Sequence, residues 1–193
     1  MQKFPVVLDL ETKYTFRDFS DHKKLGISVG VIFDYSDNQP KVYFEKDIPQ
    51  MFPILEKASY IIGYNVRSFD IPVLSAYYPG DTSVFEVFDI LDDIKEKIGR
   101  RIALNDVIHA TLGKKKTGHG LMAIDYYKEG KFEELSQYCT DDVTLTRDLF
   151  EYGIEHGEIF YMNELGKIPI KVDWKKYKEN QGKDTDMPLT LPF

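Results

Sequence analysis

The sequence has 193 residues, of which 42% are apolar and 30% charged, and its formal net charge is -7. These values are ordinary for a globular domain, and the negative balance argues against non-specific coating of nucleic acid, which depends on neutralising phosphates. No run approaches the roughly 18 apolar residues of a membrane span and no secretory pattern is present, so we expect a cytoplasmic protein with no membrane partner. The single cysteine, Cys139, excludes an internal disulfide and fits a reducing compartment.

The first predicted strand is an apolar run at residues 6–11 that contains two acids. Strand alternation places Val7, Asp9 and Glu11 on one face, so the two carboxylates project together. A carboxylate removed from water is costly without a partner, and hard oxygen ligands suit magnesium or manganese. The pattern therefore indicates either a metal site or a strand that runs into a solvated loop.

The elements that follow favour an α/β domain. A loop is expected at residues 12–24, and we predict strands at 26–35, 41–46, 60–64 and 84–88, helices at 49–57, 90–98, 105–112, 121–128 and 132–152, and a strand pair within 159–174. Strands come first along the chain and helices follow, with one more strand between the helices. This order predicts a mixed β-sheet of about five strands flanked by helices. We place this domain at residues 1–175 and a flexible C-terminal tail at 176–193.

Two later segments carry further acids. Asp70 lies two residues before Pro72, so we predict that it caps a helix, a role worth about 1 kcal/mol. Asn105 is predicted to cap another helix. In the long helix Tyr138 and Asp142 are four residues apart and share one face. Taken singly, these residues have structural explanations: a cap, a tyrosine at the core boundary and a solvated aspartate.

Three motifs occur in order along the chain: Asp9-x-Glu11, Asn65-x-x-x-Phe69-Asp70 and Tyr138-x-x-x-Asp142. This ordered set resembles the DEDD, or DnaQ-like, superfamily of 3′–5′ exonucleases, which have the RNase H-like fold. The tyrosine is similar to that of the DEDDy branch, because the histidine branch would need a histidine at Gln137. Residues 113–150 are also similar to predicted RNase H-like exonucleases that stand alone or are attached to helicases.

The resemblance implies a 3′–5′ exonuclease that hydrolyses the 3′ end of single-stranded DNA or RNA and releases nucleoside 5′-monophosphates. It implies two Mg²⁺ or Mn²⁺ ions held by four carboxylates, those of Asp9, Glu11, Asp70 and Asp142. Two such ions can activate a water and stabilise the leaving 3′ oxygen. Tyr138 would orient that water, since a phenol pKa near 10 makes it a poor base at neutral pH. Asn65 and Phe69 would support the site or contact substrate.

Other groups have two interpretations each. Lys114, Lys115 and Lys116 would contact a phosphate backbone or remain solvated surface. His119 would approach the site or make a structural hydrogen bond, and Cys139 lacks a histidine partner at a recognisable spacing. Two functions compete with the exonuclease: a non-catalytic module that binds nucleic acid or a helicase or polymerase in trans, and a structure-specific endonuclease.

Overall fold

The computed structural model describes residues 3–115 and 121–179 of the chain. Its strands are β1 (Val6–Thr12), β2 (Ile27–Asp34), β3 (Gln39–Phe44), β4 (Ile61–Gly63), β5 (Val87–Asp89), β6 (Glu158–Asn163) and β7 (Gly166–Lys171). Its α-helices are α1 (Phe52–Lys57), α2 (Asp70–Leu74), α3 (Ile90–Ile98), α4 (Leu104–Leu112), α5 (Leu121–Lys128), α6 (Phe132–His156) and α7 (Lys175–Glu179).

Strand β1 is the centre of a five-stranded mixed sheet with the order β3-β2-β1-β4-β5. It pairs antiparallel with β2 and parallel with β4, and β5 continues the parallel part beside β4. The predicted α/β fold, a mixed sheet of about five strands flanked by helices, is confirmed. Because β1, β4 and β5 are parallel, their carboxyl ends meet at one edge of the sheet, which we call the carboxyl edge.

The alternation predicted for β1 is confirmed by the two hydrophobic cores on either side of the sheet. Val7 belongs to the core that contains α3, α4 and α6 residues, whereas Val6 and Leu8 belong to the core formed with α1 and α2. Each fully buried aliphatic side chain of this kind contributes roughly 1.5–3 kcal/mol relative to exposure. Burial on both faces therefore fixes the register of β1 and directs Asp9 and Glu11 towards α6.

Helix α6 is longer than predicted, ending at His156 rather than at residue 152. Gly157 adopts a left-handed conformation with φ 67°, and its N–H donates a 2.9 Å hydrogen bond to the carbonyl of Gly153. Glycine adopts this conformation without steric cost, so the helix continues to the residue before it. No helix within residues 3–115 and 121–179 is long and apolar enough to cross a membrane.

The hairpin of β2 and β3 forms as predicted, although β3 begins and ends two residues earlier than expected. Residues 45–51, predicted as strand end and helix start, form a 3₁₀ helix before α1. Asn38 lies in the turn with φ 56°, a conformation that asparagine tolerates better than most side chains. The hairpin is closed by an ion pair of 2.7 Å between Lys41 Nζ and Asp34 Oδ2.

Two other boundaries differ from the predictions. Val84 lies in a 3₁₀ helix, so β5 starts only at Val87. Asn105 is not the cap of α4, because the helix starts one residue earlier, with Ala103 at the N-cap position. Helix α7 begins at Lys175, and Tyr177 within it stacks on the ring of Phe88 at 3.9 Å. Residues 180–193 of the predicted tail lie outside the described residues.

Candidate active site

Three carboxylates converge where β1 meets the middle of α6. Asp9 and Glu11 are partly exposed, Asp142 is only 2% exposed, and one carboxylate oxygen of each lies within 4.8 Å of those of the other two. We call these residues the acidic cluster. Asp9 and Glu11 thus come from one face of β1, and Asp142 comes from α6. Together they place three negative charges at the carboxyl edge.

Packing of α6 on the sheet sets the position of Asp142. Leu135, Val143 and Leu149 are fully buried in the core beneath the helix. Beside Asp142, the Cys139 thiol lies 3.5 Å from both the backbone oxygen and the Oδ2 carboxylate oxygen of Asp9. Apolar burial therefore determines how the helix lies, and the thiol contact is part of the interface between α6 and β1.

Asp70 joins this group through the backbone of β1, and its predicted role as a helix cap is wrong. Phe69 occupies the N-cap position of α2, and Asp70 is the first helical residue. Its Oδ1 accepts a 2.9 Å hydrogen bond from the N–H of Leu10, the residue between Asp9 and Glu11. A contact with a strand sixty residues earlier therefore takes the place of the local cap.

The electrostatics of the group favour a bound cation. Burial, reinforced by the Asp9 carboxylate, raises the pKa of Asp70 well above its usual range, although the hydrogen bond from Leu10 opposes the shift. Burial also raises the pKa of the Cys139 thiol, and the carboxylates of Asp9, Glu11 and Asp142 add to this effect. The thiol is therefore protonated at neutral pH, which excludes a thiolate nucleophile at this position.

The donor set fits hard divalent ions. Carboxylate oxygens are the ligands that Mg²⁺ and Mn²⁺ prefer, and closely spaced like charges in partly buried positions repel each other unless a cation neutralises them. Asp9, Glu11 and Asp142 have the spacing for a common ion, and Asp70 contributes a fourth acid beside Asp9. The predicted ligands are thus brought together from three elements of the fold.

Tyr138 lies one helical turn before Asp142 and is 4% exposed. Its ring meets that of Tyr126 edge to face, with ring centroids 6.5 Å apart. Together with Tyr126, Met122 and Gln137 it borders a pocket of about 690 Å³ between α5 and α6. The tyrosine is thus held between the core and this pocket, on the same helix as one acid of the cluster.

Asn65 forms hydrogen bonds on the β5 side of the carboxyl edge. Its backbone has φ 69°, its N–H donates to Asp89 Oδ1 at 2.9 Å, and its side-chain oxygen accepts a hydrogen bond from Arg101. Its carbonyl accepts the N–H of Phe69 at 3.0 Å. Asn65 therefore shapes the loop that leads to Asp70, and its side chain is directed to Arg101.

Asp89 is a buried acid that belongs to none of the three motifs. It caps α3 by accepting the N–H of Leu91, and it also accepts the N–H groups of Asn65 and Arg67 at 2.9 Å each. Burial raises its pKa, and the hydrogen bonds from Arg67 and Asn65 oppose the increase. Its position at the end of a predicted strand was a signal for a cap, but no spacing rule connected it to Asn65.

Phe69 belongs to an aromatic group beside the acidic cluster. Its ring meets Phe16 and His22 edge to face, at centroid distances of 5.9 and 6.1 Å, and Phe16 and His22 are 4.9 Å apart. Phe16 is 51% exposed and lies in the loop that follows Glu11. We call Phe16, His22 and Phe69 the aromatic rim. The first two belong to the segment after β1, and Phe69 lies directly before α2.

Of the three predicted lysines, Lys114 is paired at a point away from the acidic cluster. Lys114 Nζ forms an ion pair of 2.7 Å with Asp148, six residues beyond Asp142 on α6 and therefore about 9 Å further along the helix axis. Lys115 is exposed. Lys116 and His119 lie outside the described residues.

Comparison with known proteins is consistent with the α/β fold. The family model RNase_H_2, described as RNase_H superfamily, matches residues 6–154, which include β1, α2 and nearly all of α6. No curated protein matches the chain. Since the matched span covers most of the sequence, the chain belongs to the RNase H superfamily.

Proposed function

We propose that this protein is a divalent-metal-dependent 3′–5′ exonuclease of the DEDDy type. It removes nucleotides from the 3′ end of single-stranded DNA or RNA and releases nucleoside 5′-monophosphates. Membership of the RNase H superfamily indicates a nuclease that uses divalent metals. The observation that carries the finer proposal is the acidic cluster together with the bond from Leu10 to Asp70, since these four acids come from the three motifs.

In this mechanism four carboxylates would hold the metal ions: Asp9, Glu11, Asp70 and Asp142. When bound, two Mg²⁺ or Mn²⁺ ions supply a water of lowered pKa and neutralise charge on the phosphate and the leaving 3′ oxygen. The carboxylates repel a phosphodiester in the absence of ions, so substrate binding at this point depends on the metal. Pairing with β2, together with the bond from Leu10 to Asp70, holds Asp9 and Glu11 in place before substrate arrives, which reduces reorganisation during the reaction.

Tyr138 orients the attacking water through its phenolic oxygen. Its fixed position on α6, one turn before Asp142, supports this role. The phenol donates or accepts one hydrogen bond and does not need to ionise. Its contribution is then geometric, and its loss lowers the turnover rate more than substrate affinity.

The aromatic rim supports a preference for an unpaired 3′ end. An exposed ring such as Phe16 offers a face on which a terminal base can stack, and such stacking is worth about 1–3 kcal/mol per base. Phe69 and His22 hold that ring through edge-to-face contacts. Stacking requires a base that is not enclosed in a duplex, so single strands are the expected substrates.

The test is degradation of 5′-labelled single-stranded DNA and RNA with Mg²⁺ or Mn²⁺. The wild type should produce a ladder that shortens from the 3′ end, and EDTA, Asp9→Asn and Asp142→Asn should each abolish it. Asp141→Asn is the matched control, because it makes the same charge change one residue away, rotated by about 100° around the helix. Its activity should stay within a few-fold of the wild type.

Other outcomes would identify a competing function. Cleavage of a circular single strand would indicate an endonuclease, since an exonuclease needs an end. Binding of oligonucleotides without cleavage by a folded, metal-binding wild type would indicate the non-catalytic module. Equal activity of the wild type and the Asp9 and Asp142 variants would refute the proposed site.

A further inference from the structure

Two exposed arginines lie close to the carboxyl edge, in the loop between α3 and α4. Arg100 and Arg101 are both exposed, and we call them the arginine pair. They line a pocket of about 390 Å³ with Ala103, Asp106 and His109. Two guanidinium groups face a single carboxylate there, so this surface is positive in a chain whose formal net charge is -7.

Both guanidinium groups contact uncharged side chains, so these contacts do not neutralise their positive charges. Arg101 donates to the neutral side-chain oxygen of Asn65. Arg100 lies over the ring of Tyr161, with its guanidinium carbon 5.0 Å from the ring centroid. A guanidinium has five N–H donors, so the contact to Asn65 uses a minority of those of Arg101. Both groups are held in position and still present donors to solvent.

The arginine pair is connected to the acidic cluster by a short chain of contacts. Arg101 bonds to Asn65, whose carbonyl accepts the N–H of Phe69. The next residue, Asp70, accepts the N–H of Leu10 in the middle of the Asp9-x-Glu11 motif. Asp89 accepts hydrogen bonds from two backbone N–H groups of the same loop, those of Asn65 and Arg67. The arginine pair and the acids thus share the carboxyl edge of the parallel strands.

We propose that the arginine pair binds backbone phosphates of the substrate strand on the 5′ side of the scissile bond. This inference rests on the proposed function, which places the 3′ terminal nucleotide at the acidic cluster. The strand then continues from β1 across the loop at Asn65 towards Arg101 and Arg100. Guanidinium groups bind phosphate oxygens through paired N–H donors, and such contacts are independent of base sequence. The ligand class is the phosphodiester backbone of single-stranded DNA or RNA.

The test variant is Arg100→Gln/Arg101→Gln, because a glutamine amide still donates to Asn65 and so protects the loop from collapse. The control is Lys57→Ala/Lys175→Ala, which removes two positive charges from other elements: Lys57 is the last residue of α1 and Lys175 the first residue of α7. Binding of a 5′-fluorescein-labelled 12-nucleotide single strand is measured by anisotropy in EDTA at several salt concentrations. Hydrolysis of 3- and 12-nucleotide strands is measured with Mn²⁺.

The arginine variant should weaken binding of the 12-mer about tenfold or more at low salt. The slope of log K against log salt should become shallower by about 1.4, the value for two phosphate contacts on a single strand. KM should rise for the 12-mer but much less for the 3-mer, while kcat stays close to the wild-type value. A structural defect would instead lower kcat on both strands.

Results of two kinds would overturn the inference: unchanged 12-mer binding and salt slope in the arginine variant, or equal losses in the control variant. The proposed function fails in a distinguishable way. If the wild type hydrolyses neither strand but binds the 12-mer in a manner that depends on the arginine pair, the exonuclease assignment falls while the phosphate-binding surface stands.

Discussion

The carboxylate of Asp70 accepts a hydrogen bond of 2.9 Å from the N–H of Leu10, the residue that separates Asp9 from Glu11. This bond joins the second motif to the first through the backbone rather than through a bound ion. Asp70 is therefore placed beside Asp9 in the folded chain before any metal binds. Its charge is unfavourable there, since it is both buried and next to a like charge.

Replacing Asp70 by asparagine should stabilise the metal-free protein and remove activity. The amide oxygen of the introduced asparagine still accepts the Leu10 N–H, and the buried charge is lost. We expect the free energy of unfolding in EDTA at pH 8 to rise by roughly 1 kcal/mol, which corresponds to about 2–4 °C in Tm. Mn²⁺ should raise Tm of the wild type more than that of the variant. Thermal unfolding with EDTA and with Mn²⁺ measures both effects.

The control for this prediction is Asp34→Asn. Burial alone would raise the pKa of Asp34, but hydrogen bonds from Lys41 and Ser36 lower it, so its charge is favourable in the folded state. This variant should have a lower Tm than the wild type under the same conditions. A decrease in Tm in EDTA for Asp70→Asn as well would contradict our account of the Asp70 charge.

The gain from Asp70→Asn should depend on pH. A raised pKa in the folded state means that the folded protein binds the Asp70 proton more tightly than the unfolded chain, whose aspartates have a pKa near 3.9. The wild type then loses stability as pH rises from about 4 through the folded-state pKa. The difference in Tm between variant and wild type in EDTA should therefore be smallest near pH 4 and grow with pH. A constant difference would show that charge is not the cause.

Tyr138→Phe should lower kcat by about 10- to 100-fold and leave KM nearly unchanged. The variant removes only the phenolic oxygen, and a misplaced reacting group can lower the rate by up to about 10²-fold. Steady-state hydrolysis with saturating Mn²⁺ measures both constants. Tyr126→Phe removes the same atom from the neighbouring ring and should change kcat by less than threefold. Similar losses in both variants would indicate a general effect on the pocket between α5 and α6.

Cys139→Ala should retain activity within a few-fold. The thiol is fully buried and protonated, and it contacts Asp9 only through long 3.5 Å interactions. Labelling of the native protein with a thiol reagent should be slow, whereas one thiol per chain should react after unfolding in guanidinium. A loss of activity as large as that of Asp9→Asn, or rapid labelling of the native protein, would contradict this assignment.

Gly153→Ala should destabilise the protein although alanine is the better helix former. A Cβ at position 153 would overlap the Trp174 ring, which is stacked on Phe150 at 5.9 Å and hydrogen-bonded to Asp93. Overpacking of this kind costs about 1–3 kcal/mol, against a propensity gain of about 1 kcal/mol. Thermal unfolding should show a lower Tm. Glu155→Ala, on the exposed side of the same turn, should change stability by less than about 0.5 kcal/mol; a higher Tm for Gly153→Ala would show that Trp174 relaxes freely.

Much of the fold follows from local patterns. The period of two in β1 predicts which core each side chain joins, and the spacing of four between Tyr138 and Asp142 predicts a shared helix face. Both depend only on backbone geometry, so they hold without knowledge of the tertiary structure. The end of α6 required one further fact, that Gly157 and not an earlier residue adopts the left-handed conformation.

Contacts between distant segments could not be predicted in the same way. Asp70 before Pro72 has the sequence of a cap, but its partner is Leu10, and nothing local to either residue indicates the other. The hydrogen bonds from Asn65 to Asp89 and from Arg101 to Asn65 likewise cross 24 and 36 residues. The identity of the acids could thus be inferred from the motifs, whereas the support around them depends on the assembled sheet.

The central position of β1 has a consequence for the lifetime of the site. The strand pairs with β2 along its whole length, and on its other side Val6 and Val7 pair with β4 while the N–H of Leu10 is bonded to Asp70, so displacing Asp9 and Glu11 requires the sheet itself to open. Amides in such a strand exchange with solvent only through the rarest fluctuations, those close to global unfolding. The two carboxylates are therefore exempt from the local fraying that affects loops and termini. They persist for as long as the domain remains folded.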